Sequence, residues 1–233
     1  MVIKSVTSTP GPCTTETADA AALHAVREVV LRSNCPFAIS AHTVAARPRR
    51  EGEPLRDYFA RSMDDVIAFS ERAGKDSLDV LVYRMPAAEF GQDLTALGRL
   101  ARTMVHTLMS ADPRAPRPLD RPAVLRPDWR LSFAGVDYFM PVFAPLYPAE
   151  HSRHTFGVRD QVFLFLQPNE SFHRRLGRRP RQVRQAIRHR FEAAGQPYDS
   201  GVLEAHKFVL PMNSGEPPIP WYDMAEQSTP ARK

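Results

Sequence analysis

The sequence predicts an α+β fold, a single domain with a central, mainly antiparallel sheet of about five to six strands flanked by helices. Strand-like runs cluster in the middle of the chain, and helical periodicities flank them without the βαβα alternation of a parallel doubly wound fold. The runs RLSF and VDYFMPVF are separated only by Ala134 and Gly135, the spacing of a tight antiparallel hairpin. With 233 residues, 43% hydrophobic and 24% charged, the chain can bury one sizeable core and has an ordinary globular balance.

Residues 1–17, rich in Ser, Thr, Pro and Gly, read as a flexible leader to a domain over 18–222, and 223–233 as a polar tail. ADAAALHAVREVVLR places Ala22, Leu23, Val26, Val29 and Val30 on one side of a helix over 18–32. Pro36 opens PFAISAHTVAA, whose β-branched, alternating character predicts a strand near a sheet edge. Leu55, Phe59, Met63, Val66 and Ile67 predict one amphipathic helix over 55–72. LDVLVYRM reads as a buried strand, and 93–110 as a third helix.

Five prolines between 111 and 130 predict a surface loop able to serve as a lid. The hairpin follows, then the central-type strand QVFLFLQP and a short helical segment over 169–176. Pro180 suits the first turn of a helix running to Gly195, and HKFVLP is the last strand candidate.

Cys13 and Cys35 are the only cysteines, too few for a disulfide framework or a CxxC zinc site, which favours a reducing cytoplasm. No apolar run approaches the roughly 20 residues that span a bilayer, and the first residues lack an apolar signal region, so membrane partners are not expected. The absence of GxGxxG, Walker-type and GxSxG patterns disfavours standard nucleotide hydrolysis and acyl transfer.

The segment with most chemistry is RLSFAGVDYFMPVFAPLYPAEHSRHTFGVRDQVFLFLQPNESF, residues 130–172, where strand-like runs frame His151, Arg153 and His154. On the residues alone the favoured reading of His151 and His154 is a solvated loop pair; the alternative is a neutral imidazole that ligates a metal or haem iron when its second nitrogen is held by a hydrogen bond. Arg153 and Arg159 can take a propionate or substrate carboxylate, or simply pair with Glu150 and Asp160. Cys35 is a candidate thiol or a small buried residue.

Of the 31 basic residues 27 are arginine, and the net charge is +5. Eight of them fall in 173–191, HRRLGRRPRQVRQAIRHRF, which invites a nucleic-acid or other acidic partner. Arg181, Arg184 and Arg188 fall mostly opposite Val183, Ile187 and Phe191, as on a solvated helix face, which is the favoured interpretation.

The order of segments resembles the YqcI/YcgG family of bacterial proteins, carried by the CPF run, LSFAGVDYFMPVFAPLYPAEHSRHTFG, VFLFLQPNESF and the IRHRF helix over about 34–211. Phe133, Gly135 and Phe139 match the family's hairpin, Ser152 and Arg153 its Ser-Arg loop, and Phe172 the phenylalanine after the long strand. The resemblance implies a cytoplasmic enzyme using haem b, a monooxygenase that N-hydroxylates a guanidine or amine nitrogen of an arginine-like amino acid in a natural-product pathway. An electron donor and a possible homodimer go with it. On that basis His151 is the first choice of iron ligand and His154 the second, with Arg153 and Arg159 on the propionates and Asp137 or Glu150 holding the substrate nitrogen. The alternative is a non-enzymatic binding protein contacting nucleic acid or another acidic partner through 173–191.

Overall fold

The computed structural model describes residues 14–197 and 201–225, with side chains from Leu23 onward. Of the expected leader and tail, 1–13 and 226–233 lie outside the described residues; Thr14 already belongs to the first helix, α1 (Thr14–Arg32).

Six strands, β1 (Thr43–Ala45), β2 (Val80–Pro86), β3 (Leu131–Phe133), β4 (Val136–Phe139), β5 (Val142–Phe143) and β6 (Gln161–Pro168), form one sheet in the order β1-β2-β6-β4-β3. β5 pairs with β6 at Val142–Leu164 and Phe143–Phe163, on the same β6 edge that β4 uses at Gln167 and Pro168. Only β1 with β2 is parallel, so the sheet is mainly antiparallel and the fold α+β, as the sequence predicts. β6 is central and covered on both faces, which is why VFLFL is apolar without alternation.

Alternation along β2 and β6 builds two cores. Leu81, Tyr83, Met85, Val162, Leu164 and Leu166 face the larger one, with α2 (Leu55–Arg61), α3 (Met63–Ala73) and α5 (Leu94–Ala111). Val80, Val82, Phe163 and Phe165 face the smaller one, against Val26 and Val29 of α1. Short helices α4 (Ala87–Phe90) and α6 (Arg121–Val124) follow β2 and precede β3, and α7 (Asn169–Leu176) and α8 (Pro180–Ala193) follow β6. Asp93 caps α5 by accepting from the Ala96 N–H at 2.7 Å.

The hairpin forms at Ala134 and Gly135 with φ of 52° and 81°, the positive pair of a type I′ turn, and register Phe133–Val136. Five expectations need correction. The helix over 55–72 is two helices broken at buried Ser62, whose hydroxyl contacts the Phe59 carbonyl at 2.8 Å and the Tyr83 hydroxyl at 3.1 Å instead of leaving the backbone undisturbed. VDYFMPVF is interrupted at Pro141, which has no N–H for the ladder and contributes only its carbonyl, to the Phe165 N–H at 3.1 Å.

PFAISAHTVAA yields a 3-10 turn (Ala38–Ser40) and only the three residues of β1. HKFVLP is not a strand: Glu204–Lys207 form a 3-10 turn, and Phe208 is pulled into an aromatic group with Trp129, Phe139 and Trp221. The proline-rich 111–130 segment is pinned rather than lid-like. Asp112 is buried and its Oδ1 accepts from the N–H groups of Arg114 and Ala134 at 3.0 and 3.1 Å. No helix among the described residues is long and apolar enough to cross a membrane.

Candidate functional site

The chain between β5 and β6 runs along the smaller core, where Phe156 and Val158 pack with α1. Its last turn, Thr155–Val158, is closed by the Val158 N–H donating to the Thr155 carbonyl at 3.1 Å and the Thr155 hydroxyl donating to the Val158 carbonyl at 2.6 Å. The central residues Phe156 and Gly157 have φ of 48° and 103°. A left-handed conformation at phenylalanine costs about 1–2 kcal/mol and marks a position held by its surroundings. One restraint is visible: Arg32, at the end of α1, donates to the Phe156 carbonyl at 3.1 Å.

His151 is enclosed. Its ring stacks on Tyr147 with centroids 4.1 Å apart and planes 6° from parallel. The Arg153 N–H donates to its Nδ1 at 3.1 Å, so Nε2 carries the proton and donates to the Pro211 carbonyl at 3.1 Å. Burial, with the Arg153 guanidinium beside it, lowers its pKa to about 4, so the ring is neutral. Both nitrogens are spent inside the protein, and the expectation that His151 is the iron ligand is corrected on that ground: an imidazole needs a bare nitrogen to bind metal.

Arg153 is turned the same way. Its guanidinium lies 5.5 Å from the Phe139 ring and 5.1 Å from Phe143, and donates to the Lys207 carbonyl at 3.2 Å. It is not on the wall of the neighbouring cleft. Its expected place on a propionate or in catalysis gives way to a role tying the loop to the chain after α8.

His154 differs from both. Its Nδ1 donates to the Tyr147 carbonyl at 2.6 Å, which fixes the tautomer and leaves Nε2 as a lone-pair nitrogen without a partner among the described residues. The ring meets Phe156 edge-on at 5.3 Å. His154 lines a cleft of about 720 Å³, within the range of small-molecule sites, whose wall includes Arg32, Pro145, Leu146, Phe156, Val158 and Arg159. Arg159, a candidate from the sequence, is one of these lining residues.

The cleft has no acidic residue on its described wall, so Asp137 and Glu150 do not have the substrate-holding position expected of them. Asp137 is exposed on β4 and bonded to Ser132 across the hairpin, and Glu150 is exposed on the loop. Sequence reasoning did not place Arg32 here. Its signal, a basic residue in the last turn of α1, is indistinguishable locally from a simple helix end.

No group of three or more His, Cys, Asp or Glu side chains able to hold a metal ion occurs among the described residues. The cleft's one oriented imidazole, two guanidinium groups and apolar walls are of the kind that would hold haem, His154 towards the iron and Arg32 and Arg159 towards its carboxylates. Gln196, buried, ties the site to the rest of the fold: it accepts from Asn34 at 2.8 Å and donates to the Ala149 carbonyl at 2.8 Å. No family model matches the chain, and no curated protein or solved structure matches it either.

Proposed function

We propose that the protein is a haem-dependent monooxygenase acting on a nitrogen of an amino acid, and that the cleft beside His154 holds the haem. The observation that carries the proposal is the state of the His154 ring: Nδ1 tied to the Tyr147 carbonyl, Nε2 bare, on a cleft wall with two arginines. Bound iron supplies the oxidising chemistry. The chain's own residues orient the imidazole through Tyr147, take carboxylates through Arg32 and Arg159, and exclude water with Leu146, Phe156 and Val158. The N-hydroxylation chemistry is supported by the resemblance of 131–172 to the YqcI/YcgG family. An acidic anchor for a cationic nitrogen is absent from the described wall, so Arg32 and Arg159 favour contact with the carboxylate end of an amino acid or with the propionates.

Reconstitution with haemin and absorption spectroscopy test this. The expected result is a Soret band that His154→Ala abolishes and His151→Ala retains in folded protein. No band in the wild-type protein, or loss only with His151→Ala, overturns the assignment.

A further inference from the structure

The exposed arginines of α8 and the turn before it lie outside the cleft and have no part in the proposed oxidation. Arg178, Arg179, Arg181, Arg184 and Arg190 are all exposed, and none forms an ion pair among the described residues. Between Gly177 and Pro197 the only acid is Glu192, which faces His189 at 3.8 Å. Arg181 and Arg184, three residues apart, follow one side of the helix and Arg178 stands in the turn just before it, while Ile187 is buried on the inner side and Val183 and Phe191 are half-buried.

The base of this hairpin is anchored. Arg175 grips buried Asp79 through two nitrogens at 3.1 and 2.5 Å and reaches the Ser40 hydroxyl and carbonyl at 2.7 and 2.8 Å. Gly177, with φ of 60°, makes the turn between α7 and α8. These exposed arginines, without ion-pair partners among the described residues, are thus presented from a fixed support, which lowers the ordering cost of binding.

The geometry points to a duplex nucleic-acid surface, with Arg178, Arg181 and Arg184 contacting the phosphate backbone without reading sequence. Guanidinium groups match phosphate oxygens bidentately. Three observations choose among polyanions. A membrane surface calls for exposed apolar side chains beside the charge, and the exposed large apolar residues are Leu23, Leu31 and Ile39, none on this hairpin. Single strands call for exposed aromatic platforms, yet Phe172 is half-buried, edge-on to Phe37 at 5.9 Å and covered by Arg184 at 5.9 Å. Protein interfaces deplete charge at their centre, the opposite of this face.

Fluorescence anisotropy with a labelled 20-base-pair DNA duplex, over a series of salt concentrations, tests the surface using the full chain. The affinity is expected to fall with salt at a log–log slope of about −3 to −4. The triple substitution Arg178→Gln, Arg181→Gln, Arg184→Gln is expected to weaken binding at least about tenfold at low salt and to flatten the slope by about 3, while the corresponding triple lysine variant keeps the slope. Unchanged binding by the glutamine variant overturns the proposal. So does equal or tighter binding to a single strand of the same length, or capture by phosphatidylserine vesicles with no retention of duplex. Haem uptake is a separate readout, so loss of one proposal leaves the other standing.

Discussion

The rings of Tyr147 and His151 lie parallel, 4.1 Å apart, and each is tied to the strip Leu210–Pro211: the Tyr147 hydroxyl donates to the Leu210 carbonyl at 2.8 Å and His151 Nε2 to the Pro211 carbonyl at 3.1 Å. This pair clips the loop after β5 to the chain after α8. The clip works only while His151 is neutral, because Nδ1 accepts a hydrogen bond and Arg153 lies close by.

A pH dependence follows. The folded His151 pKa of about 4 lies below its usual 6.5, so the unfolded chain binds the proton more readily between those values. The stabilisation is complete above about pH 6.5 and is lost as the pH falls towards 4, with a size of about 2 kcal/mol once solvent screening of the half-exposed ring is allowed for. Burial lowers His206 as well, and its contribution is lost on the same acid side. Urea unfolding at pH 7.5 and 4.5 checks this: His151→Phe, which keeps a stacking ring, should show a smaller loss of stability on acidification. An identical loss in both proteins removes His151 as a source.

Asp79 is a second point of sensitivity. Its side chain is buried, accepts from the His42 N–H at 2.8 Å, and is gripped by Arg175, with Arg174 at 3.7 Å. Asp79→Ala removes the acceptor and leaves a half-buried guanidinium with only Ser40, at a cost of about 3 kcal/mol. Asp79→Asn keeps one acceptor and is expected to lose less. Thermal unfolding of both variants ranks them, and an alanine variant as stable as the wild type refutes the anchoring role of this pair.

Phe156 gives a backbone test. At a φ of 48°, glycine is tolerated and alanine is not, so Phe156→Gly should be more stable than Phe156→Ala by about 1 kcal/mol, although both lose the ring. Both should also weaken haem uptake, because the wall of the cleft beside His154 goes with the ring. Equal stability of the two variants excludes stored strain at this turn.

Much of the frame was legible locally. The Ala134–Gly135 spacing specified a two-residue hairpin, the unbroken VFLFL run a strand covered on both faces, and Pro180 the start of α8. Errors arose where a side chain or a distant segment competed with the local pattern. Ser62 splits a helix because its hydroxyl finds Tyr83 and the Phe59 carbonyl, and Phe208 leaves no strand because three aromatic rings draw it into the core.

Within the candidate site, the sequence by itself determined that histidines and arginines concentrate between β5 and β6, since composition and strand pattern are local properties. Which of them faces a ligand was decided only by the tertiary structure. His151 and His154 are three residues apart and chemically identical, yet the Pro211 carbonyl, 60 residues away, consumes one ring, while the Tyr147 carbonyl orients the other and leaves its Nε2 bare. Arg153 is likewise drawn inward by Phe139, Phe143 and the Lys207 carbonyl, and Arg32 comes to the cleft from a helix more than 100 residues earlier in the chain. Hydrogen-bond partners and ring contacts of this kind are properties of the folded packing, and no spacing in the sequence encodes them.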